Sequence, residues 1–170
     1  MPNWCQNELS VYGPKDQVRE IYDLIVNELE DDKIAVTFDR VIPMPKILQK
    51  VTTGGTKIDG EYVTTWVNEG EWPDVKARKL NEGEQLLIDA IGYPSWYEWA
   101  IDNWGTKWDA CESRLITPFE VWEDEAEFAV AFDTAWSPPE PFFNALQERF
   151  ENVRVGGFYR EDGLQFAGYF

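Results

Sequence analysis

Hydrophobic residues along this chain change their spacing from every second position to every third or fourth and back again, and they do so twice. In residues 4–12 polar and apolar side chains alternate, which is typical of a strand with one buried face. From 16 to 29 the apolar side chains recur at spacings of three and four, which predicts an amphipathic helix. Residues 34–42 are rich in β-branched and aromatic side chains and predict a second strand.

The last third of the chain repeats this order. Residues 114–123 and 128–132 predict two strands that are joined by an acidic turn. Ser137 followed by Pro138 is typical of a helix start, with Ser as the cap and Pro as the first residue. The apolar face of this helix comprises Phe142, Phe143, Leu146 and Phe150. Residues 153–159 and 164–170 predict two closing strands.

Residues 43 to about 110 differ in composition and residue pattern from the flanking sequence. They include a turn-rich stretch over 52–60, two helical segments over 80–91 and 94–103, and a concentration of tryptophan. We interpret them as a Trp-rich, mostly helical insertion that packs on the main sheet between its second and third core strands. The chain, residues 1–170, is then one domain that carries this insertion.

The order of these elements predicts the fold class. Strand, helix, strand, insertion, strand, strand, helix, strand, strand is a split βαβ pattern used twice. We therefore expect a ferredoxin-like α+β fold, an antiparallel sheet with helices on one face. Its edge strands could pair between chains, which leaves a homodimer open.

The residue counts exclude several chemistries. The chain contains no His, so a Ser-His-Asp or Cys-His catalytic unit cannot form. Its two cysteines, Cys5 and Cys111, are too few for a structural zinc site. We interpret them as buried thiols of a protein in a reducing compartment. Asp109 and Asp133 could form a pair of catalytic carboxylates, but nothing distinguishes them among the 32 acids. We expect no enzyme, no metal and no cofactor.

Charge and hydropathy limit the partners. The net charge is −17, and a nucleic-acid-binding surface needs a basic footprint, so direct binding of nucleic acid is not expected. No apolar run approaches the roughly 20 residues that span a bilayer, and the N-terminus has no signal-peptide pattern. The sequence therefore predicts a soluble, cytoplasmic protein that favours basic partners.

Three blocks of sequence occur together here. They are MPNWC at residues 1–5 with Asn7 close behind, NWGTKWDA at residues 103–110, and FDTAWSPP at residues 132–139. This combination resembles a family of phage- and plasmid-encoded proteins of unknown function with a ferredoxin-like domain, whose founder is a bacteriophage protein. The resemblance implies the fold and an origin in a mobile element, but it brings no reaction.

The same blocks suggest a ligand-binding site. Two of them, NWGTKWDA and FDTAWSPP, each place Trp beside polar side chains on short turns, and Trp rings offer flat stacking surfaces. We expect the blocks to meet and line a pocket for a planar or sugar-like ligand. The candidate residues are Trp4, Asn7, Asn103, Trp104, Lys107, Trp108, Asp109, Asp133, Thr134 and Trp136. The alternative is that the Trp residues are buried at the docked insertion, with Asp133 capping a turn and Lys107 pairing with an acid.

A second candidate site is the acidic turn between the strands at 114–123 and 128–132. Its carboxylates are Glu120, Glu123, Asp124, Glu125 and Glu127. Acids two apart on a strand lie about 6.6 Å apart on one face, a scale similar to that of nucleic-acid phosphates. The alternative is a solvated hairpin whose charges discourage edge pairing.

These observations favour a phage or plasmid accessory protein that acts by binding a protein. The partner we expect is a basic or nucleic-acid-binding host protein, and the acidic face would inhibit it by imitating nucleic acid. A mobile element has reason to block host restriction or CRISPR enzymes, so anti-restriction and anti-CRISPR roles both fit. The alternative function is a small-ligand-binding domain built on the Trp blocks.

Overall fold

A computed structural model describes residues 2–31, 33–71 and 73–170, and the chain divides into two compact units. The first unit combines Met1–Pro43 with Asn103–Phe170, and the second is Met44–Asp102. Met1, the first residue of the MPNWC block, lies outside the described residues.

The helices and strands follow one another along the chain in this order. The first elements are β1 (Trp4–Pro14), α1 (Lys15–Ile25), β2 (Val26–Glu28) and β3 (Ile34–Val36). The middle elements are β4 (Val51–Ile58), β5 (Glu61–Glu69), β6 (Lys76–Arg78), α2 (Glu82–Ile91) and α3 (Trp96–Trp104). The last elements are β7 (Cys111–Trp122), β8 (Glu125–Ala135), α4 (Glu140–Arg149), β9 (Arg154–Glu161) and β10 (Phe166–Tyr169). Among the described residues, the helices are all too short or too polar to cross a membrane.

The first unit is built on a five-stranded sheet with the order β10-β9-β1-β8-β7. Every pair of neighbouring strands in it is antiparallel. Taken in chain order, β1, α1, β7, β8, α4 and β9 form the βαββαβ unit of a ferredoxin-like fold. The predicted fold class, α+β with an antiparallel sheet, is confirmed, and β10 extends the sheet by one edge strand.

The two faces of this sheet have different environments. The odd-numbered residues of β1 from Cys5 to Val11 are buried, with at most 1% exposed surface, whereas Trp4, Gln6, Glu8 and Ser10 are exposed. Both helices pack on the buried side, where Tyr22 of α1 meets Phe128 of β8 edge to face at 5.1 Å. We call the opposite side, which carries the even-numbered residues of β1, the open face.

The first predicted helix is four residues too long, and the strand that follows it is too long as well. Helix α1 ends at Ile25, and Val26–Glu28 pairs with Ile34–Val36 as a separate two-stranded sheet. Residues 37–42 leave the strand because the carboxylate of Asp109 binds Thr37 Oγ1 and the backbone N–H of Phe38. Phe38 then inserts into the core, with its ring centroid 4.5 Å from that of Phe142.

The position and content of the insertion also differ from the prediction. Because β3 lies outside the five-stranded sheet, the second unit is inserted between α1 and the second core strand, β7. It contains a three-stranded antiparallel sheet, β4-β5-β6, as well as helical segments. The stretch predicted as turn-rich is mostly β4, and only Asp59 and Gly60 form the turn, with φ of 52° and 83°. Positive φ at both positions is typical of a two-residue hairpin.

Helix starts were predicted with mixed success. Asn81 forms a complete capping box with Glu84 at the start of α2, one residue after the predicted start of that helix. Helix α4 begins at Glu140, and Ser137 does not cap it. The Ser137 hydroxyl instead donates to the carbonyl oxygen of Gly105 at 2.6 Å, since Trp136 adopts a φ of 76° and turns the chain.

Candidate functional site

The acidic hairpin consists of the β7–β8 turn and its five carboxylates. They are Glu120, Glu123, Asp124, Glu125 and Glu127. The register pairs Glu120 with Glu127 and Trp122 with Glu125, so both pairs lie on the open face. Like charges directly opposite each other destabilise a sheet, which makes the Glu120–Glu127 pair a cost to folding. A pair that destabilises the sheet indicates that these charges have a role other than stabilising the fold.

Apolar side chains accompany the carboxylates. Trp122 is 41% exposed and Val121 is 53% exposed, and the Trp122 ring lies 6.3 Å from that of Tyr12 on β1. Exposed Trp flanked by charged residues is typical of protein-binding surfaces, where Trp is enriched among the residues that contribute most to affinity.

The tip of the acidic hairpin is held in place by the start of α1. The backbone N–H of Lys15 donates to the carbonyl oxygen of Asp124 at 3.0 Å, and Lys15 Nζ contacts the Asp124 carboxylate at 3.0 Å. The hydroxyl of Tyr12 donates to Glu125. Within the described residues, Lys15–Asp124 is the one ion pair that these five carboxylates make. The hairpin therefore presents unneutralised charge in a fixed geometry, which lowers the entropic cost of binding.

The open face continues from the hairpin as a groove along β1 and β8. Its floor is small at the middle, at Ser10, Ala129 and Ala131, and Ile116 and Phe158 stand on either side there. Toward its two ends the floor carries larger side chains, Gln6, Glu8 and Asp133 at one end and Tyr12 and Glu127 at the other. Three adjoining hollows form it, with volumes of about 380, 280 and 230 Å³ from the hairpin end onward. We call this feature the open-face groove.

Charged side chains mark the end of the open-face groove that is remote from the hairpin. Glu8, Asp133, Arg114 and Arg160 line it there. Burial raises the pKa of the Asp133 carboxyl, and the charge of Arg114 opposes that shift. Of these four residues, only Asp133 is among the candidates predicted from the sequence. Strand alternation assigns each to a face, but it does not show that β7 and β9 flank the central pair.

The NWGTKWDA block (residues 103–110) and the FDTAWSPP block (residues 132–139) contact each other. Thr106 Oγ1 donates to the carbonyl oxygen of Ala135 at 3.0 Å and accepts from the Ala135 backbone N–H at 3.1 Å. Gly105 lies against the start of α4, since a Cβ on it would come within 2.7 Å of Pro141 Cδ. The contact is a packed junction of the first unit.

Several predicted ligand-binding residues are bonded within the fold. Asn7 is 1% exposed, and its Nδ2 donates to the carbonyl oxygen of Cys5 at 2.9 Å and to Thr134 Oγ1 at 2.9 Å. Thr134 is fully buried and donates to the carbonyl oxygen of Ser137 at 2.7 Å. Trp104 is 6% exposed, and its indole N–H donates to the carbonyl oxygen of Ile42 at 2.9 Å. These side chains hold strands and loops together.

Asp109 has a comparable position. Its carboxylate accepts from Thr37 Oγ1 at 2.6 Å, from the Phe38 N–H at 2.7 Å and from the Ala110 N–H at 2.8 Å. Burial raises the pKa of this carboxyl, and the hydrogen bonds from Thr37, Phe38 and Ala110 oppose the shift. Its oxygens are thereby committed to fixing the loop that carries Phe38 into the core.

The remaining predicted residues are at least partly accessible. Trp4 and Trp108 are 39% and 36% exposed, with ring centroids 6.3 Å apart, and Lys107 Nζ lies 4.5 Å from the Trp108 ring centroid. We call Trp4, Lys107 and Trp108 the Trp patch. Trp136 is 44% exposed, and Asn103 is half-buried.

The two cysteine thiols are both shifted away from the reactive, ionised form. Burial raises the pKa of the Cys5 thiol to about 11, and burial also raises that of Cys111. Both cysteines are free thiols. Since thiolates are the reactive form, neither cysteine is activated as a nucleophile. In the part of the chain that the structure describes, no three Cys, Asp or Glu residues cluster so as to hold a metal ion.

Comparison with known proteins relates the last third of the chain to one family. Residues 119–170 match a family model that is described as a ferredoxin-like domain in Api92-like protein. The matched stretch begins in β7 and includes β8, α4, β9 and β10. Searches of the curated proteins and of the solved structures gave no match. The family match supports the ferredoxin-like architecture that the strand order shows.

Proposed function

We propose that this protein binds a basic protein through the acidic hairpin and acts as an inhibitor of a nucleic-acid-binding partner. The observation that carries the proposal is the direct pairing of Glu120 with Glu127, which costs stability and places two charges on the open face. With Glu125 on the same face and a net charge of −17, the hairpin is complementary to a basic surface.

The geometry of the hairpin supports imitation of nucleic acid. Glu125 and Glu127 are two residues apart on β8, so their Cα atoms are about 6.6 Å apart on one face. A surface that binds phosphates through Lys and Arg would meet carboxylates at a similar spacing. Trp122 beside them adds an apolar contact that a polyanion alone would lack.

The origin and host target extend this proposal. In it, the protein belongs to a phage or plasmid, acts in the cytoplasm of the bacterial host, and blocks a restriction, CRISPR or other nucleic-acid-processing enzyme. What supports this extension is the resemblance of the three sequence blocks to phage- and plasmid-encoded proteins.

The test is a capture experiment from nuclease-treated bacterial lysate at about 0.1 M and about 0.5 M salt, which bracket weak and strong screening. One variant replaces the five hairpin carboxylates by amides. A control variant of the same net charge replaces five exposed acids elsewhere: Glu30, Glu71, Glu82, Glu148 and Glu151. We expect wild type and control to retain one protein at low salt, and the hairpin variant to lose it.

A competition step tests the inhibitor mechanism. Duplex DNA added to the captured complex should release the partner, because both ligands would occupy the same basic surface. Equal capture by all three proteins would contradict a role for the hairpin. Capture that DNA does not reverse would contradict imitation of nucleic acid.

The Trp patch supports a second function, the binding of a planar or sugar-like ligand. The observation in its favour is that Trp4 and Trp108 are both half-exposed and adjacent, with the Lys107 cation over one ring. Titration with nucleotides and sugars, followed by Trp fluorescence, tests this function. A response that is lost in Trp108→Phe but kept in Trp122→Phe would support it, and unchanged emission with every ligand would exclude it for those classes.

A further inference from the structure

The open-face groove has the width of an α-helix. Its walls stand on β7 and β9, which are separated by β8 and β1, so the axes of the two wall strands are three strand spacings or about 14 Å apart. An α-helix with its side chains is about 10–12 Å across. Ser10, Ala129 and Ala131 are small, which lets a helix approach the sheet closely at the middle of the floor.

The length of the groove sets the size of its occupant. The groove extends along β1 from Gln6 to Tyr12, which is about 20 Å at the rise of a strand. That length corresponds to about 13 residues of α-helix, or between three and four turns.

A helix suits this surface better than an extended segment. The groove lies on the face of the sheet, where the backbone groups of β1 and β8 are already paired with neighbouring strands. A strand laid there would leave its own N–H and C=O groups without partners, whereas a helix satisfies them internally.

The charges on the groove indicate the chemistry of the helix. Five carboxylates lie on the open face toward the two ends of the groove: Glu120, Glu125 and Glu127 at the hairpin end, and Glu8 and Asp133 at the other. Three cations also face it, Arg114, Arg154 and Arg160, and Arg160 donates to Gln6 Oε1 at 2.8 Å. The acids outnumber the cations, and the apolar side chains of Ile116 and Phe158 stand at the sides.

We infer that the open-face groove binds an amphipathic basic helix of the partner protein, with its apolar side over the small middle of the floor and its Lys and Arg residues over the acids toward the two ends. This inference rests on the proposed function, since the acidic hairpin forms one end of the groove. It names the element of the partner that is recognised and assigns the apolar contact to Ile116, Ala129 and Phe158.

The test uses a defined probe, an 18-residue peptide of Leu and Lys with Leu at helical spacing. A peptide of the same composition in a non-amphipathic order is the control for charge alone. We expect the amphipathic peptide to bind more than about tenfold more tightly at about 0.5 M salt. Amide chemical shifts of the ¹⁵N-labelled protein should change at Ser10, Ile116 and Ala129.

Two substitutions that each introduce Tyr separate the groove from the rest of the surface. Ser10→Tyr fills the floor and should weaken the amphipathic peptide by more than about tenfold, whereas Asn144→Tyr, exposed on α4, should leave it within about twofold. If circular dichroism shows that Ser10→Tyr is unfolded, Ile116→Ser removes one wall and should weaken binding in the same direction.

Equal affinity of the two peptides, or of the two Tyr variants, would overturn the inference. The capture experiment distinguishes failure of this inference from failure of the proposed function. If the hairpin variant loses that protein while Ser10→Tyr retains it, the proposed function holds and the groove is not its site. If the hairpin variant retains it, the proposed function fails whatever the peptides do.

Discussion

Glu120 of β7 and Glu127 of β8 are direct cross-strand partners, and both carboxylates lie on the open face of the sheet. A hairpin selected for stability alone would place opposite charges or apolar side chains at such a pair. The repulsion is maintained next to an exposed Trp122 and a tip that Lys15 holds in place. These features together favour a binding role for the hairpin over a solvated tip.

Reversing one charge of this pair should separate stability from binding. Glu120→Lys is expected to raise the free energy of unfolding by about 0.2–1 kcal/mol, because an attraction to Glu127 replaces a repulsion. The same substitution should weaken capture of the basic partner. Urea denaturation measures the first effect, with Glu151→Lys as a control of equal charge change in an exposed turn. A loss of stability relative to that control would contradict the cross-strand geometry.

Asn7 is expected to contribute to folding. Asn7→Ala should lower the free energy of unfolding by about 1–3 kcal/mol, because buried acceptors on Cys5 and Thr134 lose their donor. Gln6→Ala, its exposed neighbour, should stay within about 0.5 kcal/mol of wild type. Chemical denaturation checks both. A small effect of Asn7→Ala would free this residue for a ligand-binding role.

The carboxyl of Asp109 should make stability depend on pH in a defined direction. Its pKa is raised above the ordinary 3.8, so folding favours the protonated form. Its contribution is greatest below that value and is lost as the pH rises through the raised pKa. The unfolding free energy of wild type minus that of Asp109→Asn should therefore fall between about pH 3.5 and pH 7. Denaturation of both proteins over this range is the measurement, and a difference that grows with pH would refute it.

Gly105 is expected to tolerate no side chain. Its φ is +80°, and an added Cβ would lie 2.7 Å from Pro141 Cδ and 3.1 Å from the Pro138 carbonyl oxygen. Gly105→Ala should destabilise the first unit by about 1–3 kcal/mol through backbone strain and the clash. Gly92→Ala is the control: its φ is +84° and no atom lies within 4 Å of an added Cβ, so this substitution introduces backbone strain without a clash. Thermal unfolding should show the larger loss at Gly105, and equal losses would argue against a tight junction.

Much of the fold could be predicted because each strand or helix buries one side. The alternation in β1 and β8 and the stripe of α4 reflect that burial directly, so these elements and the ferredoxin-like order follow from spacing. The predicted strand over 34–42 failed at Thr37, where hydrogen bonds to Asp109 bend the chain. Those bonds join positions about seventy residues apart, and no local pattern records them.

The candidate sites likewise differ in how far the sequence alone could predict them. The acidic hairpin could be located by its residues alone, because a run of acids between two strands has to occupy the turn. The sequence could not show which of the predicted ligand-binding residues are buried and which are exposed. Trp104 and Trp108 occur in one short block, yet the first is buried against Phe38 and the second is half-exposed beside Trp4.

The sequence by itself determined the periodicities, and with them β1, α1 and the strand–helix order of the last third, the acidic turn and the absence of imidazole chemistry. Only the tertiary structure decided that Glu120 faces Glu127, that Asn7 and Asp109 bond within the fold, and that β7 and β9 flank a groove over β1 and β8. The physical reason is that periodicity records which side of an element avoids water, whereas cross-strand register and distant hydrogen bonds depend on which elements become neighbours.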